Sequence, residues 1–99
     1  MQYFPIFLQS TEMNCLVVGA GEVAARKVEL LLKTEAKVTV VAPDVCDTVN
    51  GFATQQRLSL HKRVYQQTDL DGINLVFVAT SNEQLNAEIQ SHAVARNIL

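Results

Sequence analysis

Cys15-Leu16-Val17-Val18-Gly19-Ala20-Gly21-Glu22-Val23-Ala24 decides the fold of this chain. A short apolar run that ends at a glycine reads as a buried strand. The residues that follow, Gly19 to Ala24, match the pattern G-x-G-x-x-A. Beyond them, Ala24, Val28, Leu31 and Leu32 recur at the spacing of one helix face. Lys37-Val38-Thr39-Val40-Val41 is then β-branched and bounded by Pro43, a second strand. Strand, glycine turn, helix and strand follow one another in the context that gives this glycine pattern a physical meaning.

In that context each small residue has a separate task. Gly19 permits a tight turn, Gly21 lets a pyrophosphate approach the backbone, and Ala24 lets the helix lie close to the sheet. Free N–H groups and the partial positive charge of the helix N-terminus, around Ala20, Gly21, Glu22 and Val23, then face the phosphates. The plain alternative is a glycine turn that binds nothing. An acid for the adenosine ribose is expected about 20 residues on, at the end of the second strand. That corner holds Ala42-Pro43-Asp44, so the acid stands two positions late. Asp44 either reaches the ribose or caps the next helix. An arginine for a 2′-phosphate is missing there, which favours NAD over NADP.

Alternation continues outward. Val45, Val49 and Phe52 form the buried stripe of a second helix, and Leu58-Ser59-Leu60-His61 reads as a half-covered strand. Thr68 to Gly72 reads as a helical turn and a stop. Leu75 to Ala79 is uninterruptedly apolar, the pattern of a central parallel strand. At its carboxyl end Thr80 and Ser81 stand where open α/β sheets bind ligands. Ser81 and Gln84 have capping-box spacing, and Leu85, Ile89 and Ala93 turn the last helix inward. The order implies a parallel sheet with helices on both faces, a three-layer αβα architecture of the Rossmann type. Ile98-Leu99 reads as the opening of a fifth strand. The chain is therefore expected to be one domain over residues 1–99, cut short at that strand. Phe4-Pro5-Ile6-Phe7-Leu8 reads as an extended piece, with Pro5 suited to an edge or loop.

Composition narrows the function classes. The 99 residues carry a formal net charge of −2, with 48% hydrophobic and 18% charged residues. That balance suits a globular domain and lacks the basic stripe of a nucleic-acid partner. No apolar run has the roughly 18 residues of a membrane span, and the N-terminus lacks the regions of a signal peptide. Cys15 and Cys46 lack metal-type spacing and fit a reducing, cytoplasmic setting. His61 and His92 stand alone, so no metal site is expected. Arg26 and Lys27 read equally as a solvated helix face or as anion contacts.

Leu16-Val17-Val18-Gly19-Ala20-Gly21-Glu22-Val23-Ala24-Ala25-Arg26-Lys27, with Leu30-Leu31-Leu32 and Val38-Thr39-Val40-Val41-Ala42-Pro43, resembles the N-terminal domain of siroheme synthases. Phe4 to Leu8, and Val78-Ala79-Thr80 followed by a polar helix with Asn86, extend the likeness over nearly the whole chain. The resemblance implies an NAD-dependent dehydrogenation of precorrin-2 to sirohydrochlorin. Some family members also insert ferrous iron, a lyase activity. By matching position it implies cofactor contacts at Gly19, Gly21, Glu22, Val23, Pro43 and Asp44, with Thr80 and Ser81 towards the nicotinamide.

Two departures matter. The family usually has Gly where Glu35 precedes Ala36, which costs about 1 kcal/mol or imposes a different turn. The family's catalytic acid, and its dimerising and substrate-covering segment, belong after the fifth strand, beyond Leu99. The chain as given is thus expected to bind nucleotide weakly and not to turn over, while the full-length protein is expected to be a homodimer. The competing class is a regulatory NAD-sensing domain without catalysis. A third reading is another NAD-dependent oxidoreductase sharing the first βαβ unit.

Overall fold

The computed structural model describes residues 13–98. The extended piece expected at Phe4–Leu8 lies outside them, as does Leu99. Strand β1 (Asn14–Val18) leads into helix α1 (Glu22–Leu31), strand β2 (Lys37–Val41), helix α2 (Asp47–Thr54) and strand β3 (Ser59–His61). A 3-10 turn (Gln67–Leu70), strand β4 (Leu75–Val78) and helix α3 (Glu83–Ala95) complete the order. All strand pairings are parallel, in the order β3-β2-β1-β4.

Side chains alternate across the sheet and separate two cores. Val17, Val38 and Val40 pack with Ala24, Ala25 and Val28 of α1 and Val49 of α2. Leu16, Val18 and Val41 point to the other face, against Tyr65, Leu70 and Ile89 of α3. Helical layers thus cover both faces of the sheet, the three-layer arrangement expected from the alternation.

Four expectations need correction. β4 is an edge strand of the described sheet, and its residues are half-buried. β1 is the strand paired on both sides, and Leu16 and Val17 are fully buried. An unbroken apolar run reports that both faces are covered, which does not distinguish centre from edge. Ile98 itself lies outside any strand, and Leu99 is not among the described residues. Ile98 instead closes a helix cap: Asn97 has φ +58°, and the N–H groups of Asn97 and Ile98 reach the carbonyls of Val94 and Ala93.

Asp44 does not cap α2, because the N-cap is Cys46 and the helix begins at Asp47. Ser81 does not cap α3 either. Asn82 is the cap, and its side chain accepts from the Leu85 N–H at 3.0 Å. The turn after α1 settles the Glu35 departure. Thr34 Oγ1 donates to the Leu31 carbonyl at 2.6 Å and accepts from the Ala36 N–H at 3.1 Å. Glu35 is not among the positive-φ residues, so this hydroxyl-braced turn replaces the glycine cap.

Candidate nucleotide-binding site

The carboxyl ends of β1, β2 and β4 meet at the glycine turn. Gly19 has φ +115°, a region that L side chains rarely adopt. A Cβ here would lie 2.5 Å from the Ala79 carbonyl oxygen and 2.8 Å from its carbon. The Gly19 N–H donates to the Val41 carbonyl at 2.9 Å, and the Ala79 N–H donates to the Val18 carbonyl at 2.9 Å. Gly19 therefore threads the chain between the ends of β2 and β4. The Ala20 carbonyl accepts from the Cys46 N–H at 2.8 Å, tying the turn to the start of α2.

Gly21 differs. It is the N-cap of α1, with φ −89° and ψ −164°, and no side chain caps the helix there. A Cβ on Gly21 would meet nothing within 4 Å. Open space thus stands in front of an uncapped helix start, whose first N–H groups have no intrahelical acceptor. Ala24, fully buried, holds α1 against the sheet behind them.

A cleft of about 650 Å³ opens at this place. Gly19, Ala20, Gly21, Glu22, Val23, Pro43, Asp44, Thr80 and Ser81 all line it. Of the motif and strand-end residues assigned to the cofactor site only Ala24 does not, because it packs beneath the turn. Ala42, Val78 and Ala79 also line the cleft. Sequence reading did not single these three out as cofactor contacts; their positions at the carboxyl ends of β2 and β4 are the signal that could have found them. Arg26 and Lys27 are not part of the lining. The Lys27 ammonium instead lies 5.5 Å from the centre of the Phe77 ring. The charged side chains on the cleft are the carboxylates of Glu22 and Asp44. Among the described residues the cleft thus offers an anion backbone donors and no cationic side chain.

The rim at Thr80 is built from residues that motif reading did not single out together. The Asn82 N–H donates to Thr80 Oγ1 at 3.2 Å, and Asn86 Nδ2 donates to the Thr80 carbonyl at 3.0 Å. The Thr80 hydroxyl also bonds to Asn86 Oδ1. Asn82, the cap of α3, and Asn86 within the helix thereby fix the turn after β4 and leave Ser81 on the cleft.

A smaller cavity of about 230 Å³ adjoins the cleft and shares Gly19, Ala42, Pro43, Thr80 and Ser81 with it. Val64 and Tyr65 form part of its wall. Arg63 holds the start of that segment through a forked pair to Asp69, at 2.9 and 2.6 Å, while Asp69 also accepts from the Gln66 N–H at 2.8 Å. The Arg63 hydrogen bonds, followed by that from the Gln66 backbone, outweigh burial and lower the Asp69 pKa. A carboxyl with a lowered folded pKa stabilises the fold above its unfolded value, near pH 3.9, and loses that contribution as pH falls through the folded value. Asp69→Asn should therefore destabilise the fold by about 1–2 kcal/mol at pH 7, since Arg63 is partly exposed and the pair is screened. In urea titrations the gap to the native protein should close below pH 4. A gap that persists unchanged at pH 2 would show that packing, not charge, carries the effect.

A parallel sheet in the order β3-β2-β1-β4, with a glycine turn and an uncapped helix start at its carboxyl edge, defines a Rossmann-type dinucleotide-binding domain. The chain belongs to the family described as "Putative NAD(P)-binding", whose model matches residues 6–99. It is 62% identical over 99 residues to a siroheme synthase of Pseudoalteromonas atlantica, and 41% identical over 98 residues to one of Methylobacillus flagellatus. These alignments cover 100% and 99% of this chain and 21% of each relative. The chain thus spans about a fifth of the length of these curated relatives. Among solved structures it is similar to SirC, a precorrin-2 dehydrogenase, with TM-score 0.79 and 28% identity over 83% of this chain and 41% of that one. The resemblance to siroheme synthases read from the sequence is borne out. The family and the dehydrogenase neighbour support NAD as the cofactor.

Proposed function

We propose that this domain binds NAD in the glycine-turn cleft and serves the dehydrogenation of precorrin-2 to sirohydrochlorin in siroheme biosynthesis. The observation that carries the reading is the uncapped start of α1 opening on the cleft beside a Gly21 with no neighbour to its missing Cβ. Similarity to siroheme synthases over the whole chain supports the choice of substrate.

The chain's residues fit a dinucleotide. The N–H groups behind Gly21 bind the pyrophosphate, and Ala20, Glu22 and Val23 contribute backbone to its cradle. Released from helix capping, Asp44 is assigned to the adenosine ribose, with Pro43 beside it. Two acidic side chains and, among the described residues, no cation on the lining disfavour the added phosphate of NADP. Thr80 and Ser81 are assigned to the nicotinamide side. Bound there, NAD supplies the hydride acceptor, so that precorrin-2 and NAD yield sirohydrochlorin, NADH and a proton. Insertion of ferrous iron, which replaces two pyrrole protons, is assigned to the full-length protein, as are a homodimeric state and a cytoplasmic location. Among the described residues no helix is long and apolar enough to cross a membrane.

The test is to mix the full-length protein with precorrin-2 and NAD without oxygen and to follow sirohydrochlorin by absorbance. Turnover that requires NAD is expected. NAD binding without turnover would replace the enzyme reading with the nucleotide-sensing one.

A further inference from the structure

At the opposite end of the sheet from the cleft lies a polar cavity that the function proposed above does not use. It measures about 280 Å³, and six of its eight lining residues are polar. Lys37 opens β2 there, and Arg57 stands just before β3. Asn14, Thr39, Gln56 and Ser59 surround them. The parallel register sets Asn14 beside Lys37 and Thr39 beside Ser59. Two cations thus share one small space, and among the described residues no acidic side chain lines it. The ion pairs of the described residues join Arg63 to Asp69 and Arg96 to Asp71, and involve neither of them. From Thr48 to Thr68 the sequence has no Asp or Glu, although the whole chain carries a net charge of −2. Like charges on neighbouring strands repel. An anion between them turns that repulsion into attraction.

Arg57 is also held in place before any ligand arrives. Gln56 has φ +61° just past the end of α2, and the Arg57 N–H reaches the Phe52 carbonyl at 3.0 Å. The Arg57 guanidinium lies 5.1 Å from the centre of the Phe52 ring. Lys37 is anchored at its backbone, where its N–H donates to the Met13 carbonyl at 2.9 Å. Groups fixed beforehand lose less freedom on binding.

We propose that this cavity binds a phosphate group, free or carried by a small metabolite, with Arg57 and Lys37 as its cationic residues. The guanidinium offers two oxygens a planar pair of donors, and the Lys37 ammonium adds a point charge. The hydroxyls of Thr39 and Ser59 supply further donors. A dianion engages both cations, whereas a single carboxylate needs only one. Lys37 and Arg57 are exposed, so salt screens the attraction. A dissociation constant in the millimolar range is expected at low ionic strength.

The experiment titrates inorganic phosphate into the full-length protein, saturated with NAD, by calorimetry at low salt. Chloride at matched ionic strength is the control, because it screens the two cations without bridging them. K37A and R57A should each weaken phosphate by about tenfold or more. R57K, which keeps the charge and loses the fork, should weaken it less than R57A. Melting curves without phosphate should show K37A folded as the native protein is. Gly21→Val, altered in the cleft, should keep the phosphate affinity. Glycerol phosphate distinguishes the sources: tighter binding than free phosphate supports a phosphorylated metabolite, and equal or weaker binding supports phosphate itself. No heat beyond the chloride control with either probe overturns the site. So does an affinity unchanged in both K37A and R57A, or one lost only in Gly21→Val, which would seat the anion at the glycine turn.

Discussion

Gly19→Ala should lower the melting temperature by at least about 10 °C, because the added methyl meets backbone that cannot swing aside. Two costs add. The left-handed φ of +115° strains any residue with a Cβ, by about 1–3 kcal/mol. Overpacking against the Ala79 carbonyl, 2.5 Å from the new atom, costs about 1–3 kcal/mol more. Ala79 cannot retreat, since its N–H is bonded to Val18 in the ladder between β1 and β4. A small domain is stable by about 5–15 kcal/mol, so the loss is a large share of the whole. Thermal unfolding followed by circular dichroism checks it. An unchanged midpoint would mean that the turn relaxes around the methyl and that the close approach is not a constraint.

Gly21→Val should do the reverse. It should leave the fold nearly intact and remove NAD binding by about 100-fold or more, roughly 2.7 kcal/mol. Gly21 has φ −89°, which any residue adopts, and a Cβ there meets no protein atom within 4 Å. A cost of about 1 kcal/mol is expected, from placing a poor N-cap residue before α1. The isopropyl group would instead occupy the space in front of the uncapped N–H groups. Titration with NAD, alongside a melting curve, separates the two effects. Retained affinity with a lowered midpoint would assign Gly21 to folding and take the glycine turn out of the binding argument.

The contrast between these two glycines shows how far the pattern G-x-G-x-x-A could be read. Spacing alone assigned a tight turn to Gly19 and a close approach to Gly21, and the two positions differ as that division implies. What spacing did not contain is the partner of Gly19. That partner is Ala79, sixty residues away, brought beside it by the parallel pairing of β1 with β4. The carboxyl-end clustering of Pro43, Asp44, Thr80 and Ser81 was legible for a related reason. Once strands run parallel, their ends must share an edge.

Caps were the weaker reading. Ser81 and Asp44 both stand close before a helix, and both residue types favour N-caps. The chain begins those helices one and two residues later, at Asn82 and Cys46. Local propensity cannot choose among adjacent candidates. The choice follows from where the strand before each helix ends, and from side chains such as Asn86 that reach back from the helix itself.

The sequence by itself determined the βαβ unit, the parallel sheet, the apolar faces and the glycine turn. These follow from periodicity and from the conformational freedom of single residues, both local properties. Tertiary structure alone decided that β1 is central and β4 an edge of the described sheet, that Asp44 lines the cleft without capping α2, and that Tyr65 and His92 brace a second cavity beside it. Each of these depends on contacts between residues far apart in the chain. Their energies enter only after the sheet has brought the segments together, so no window of neighbouring residues contains them.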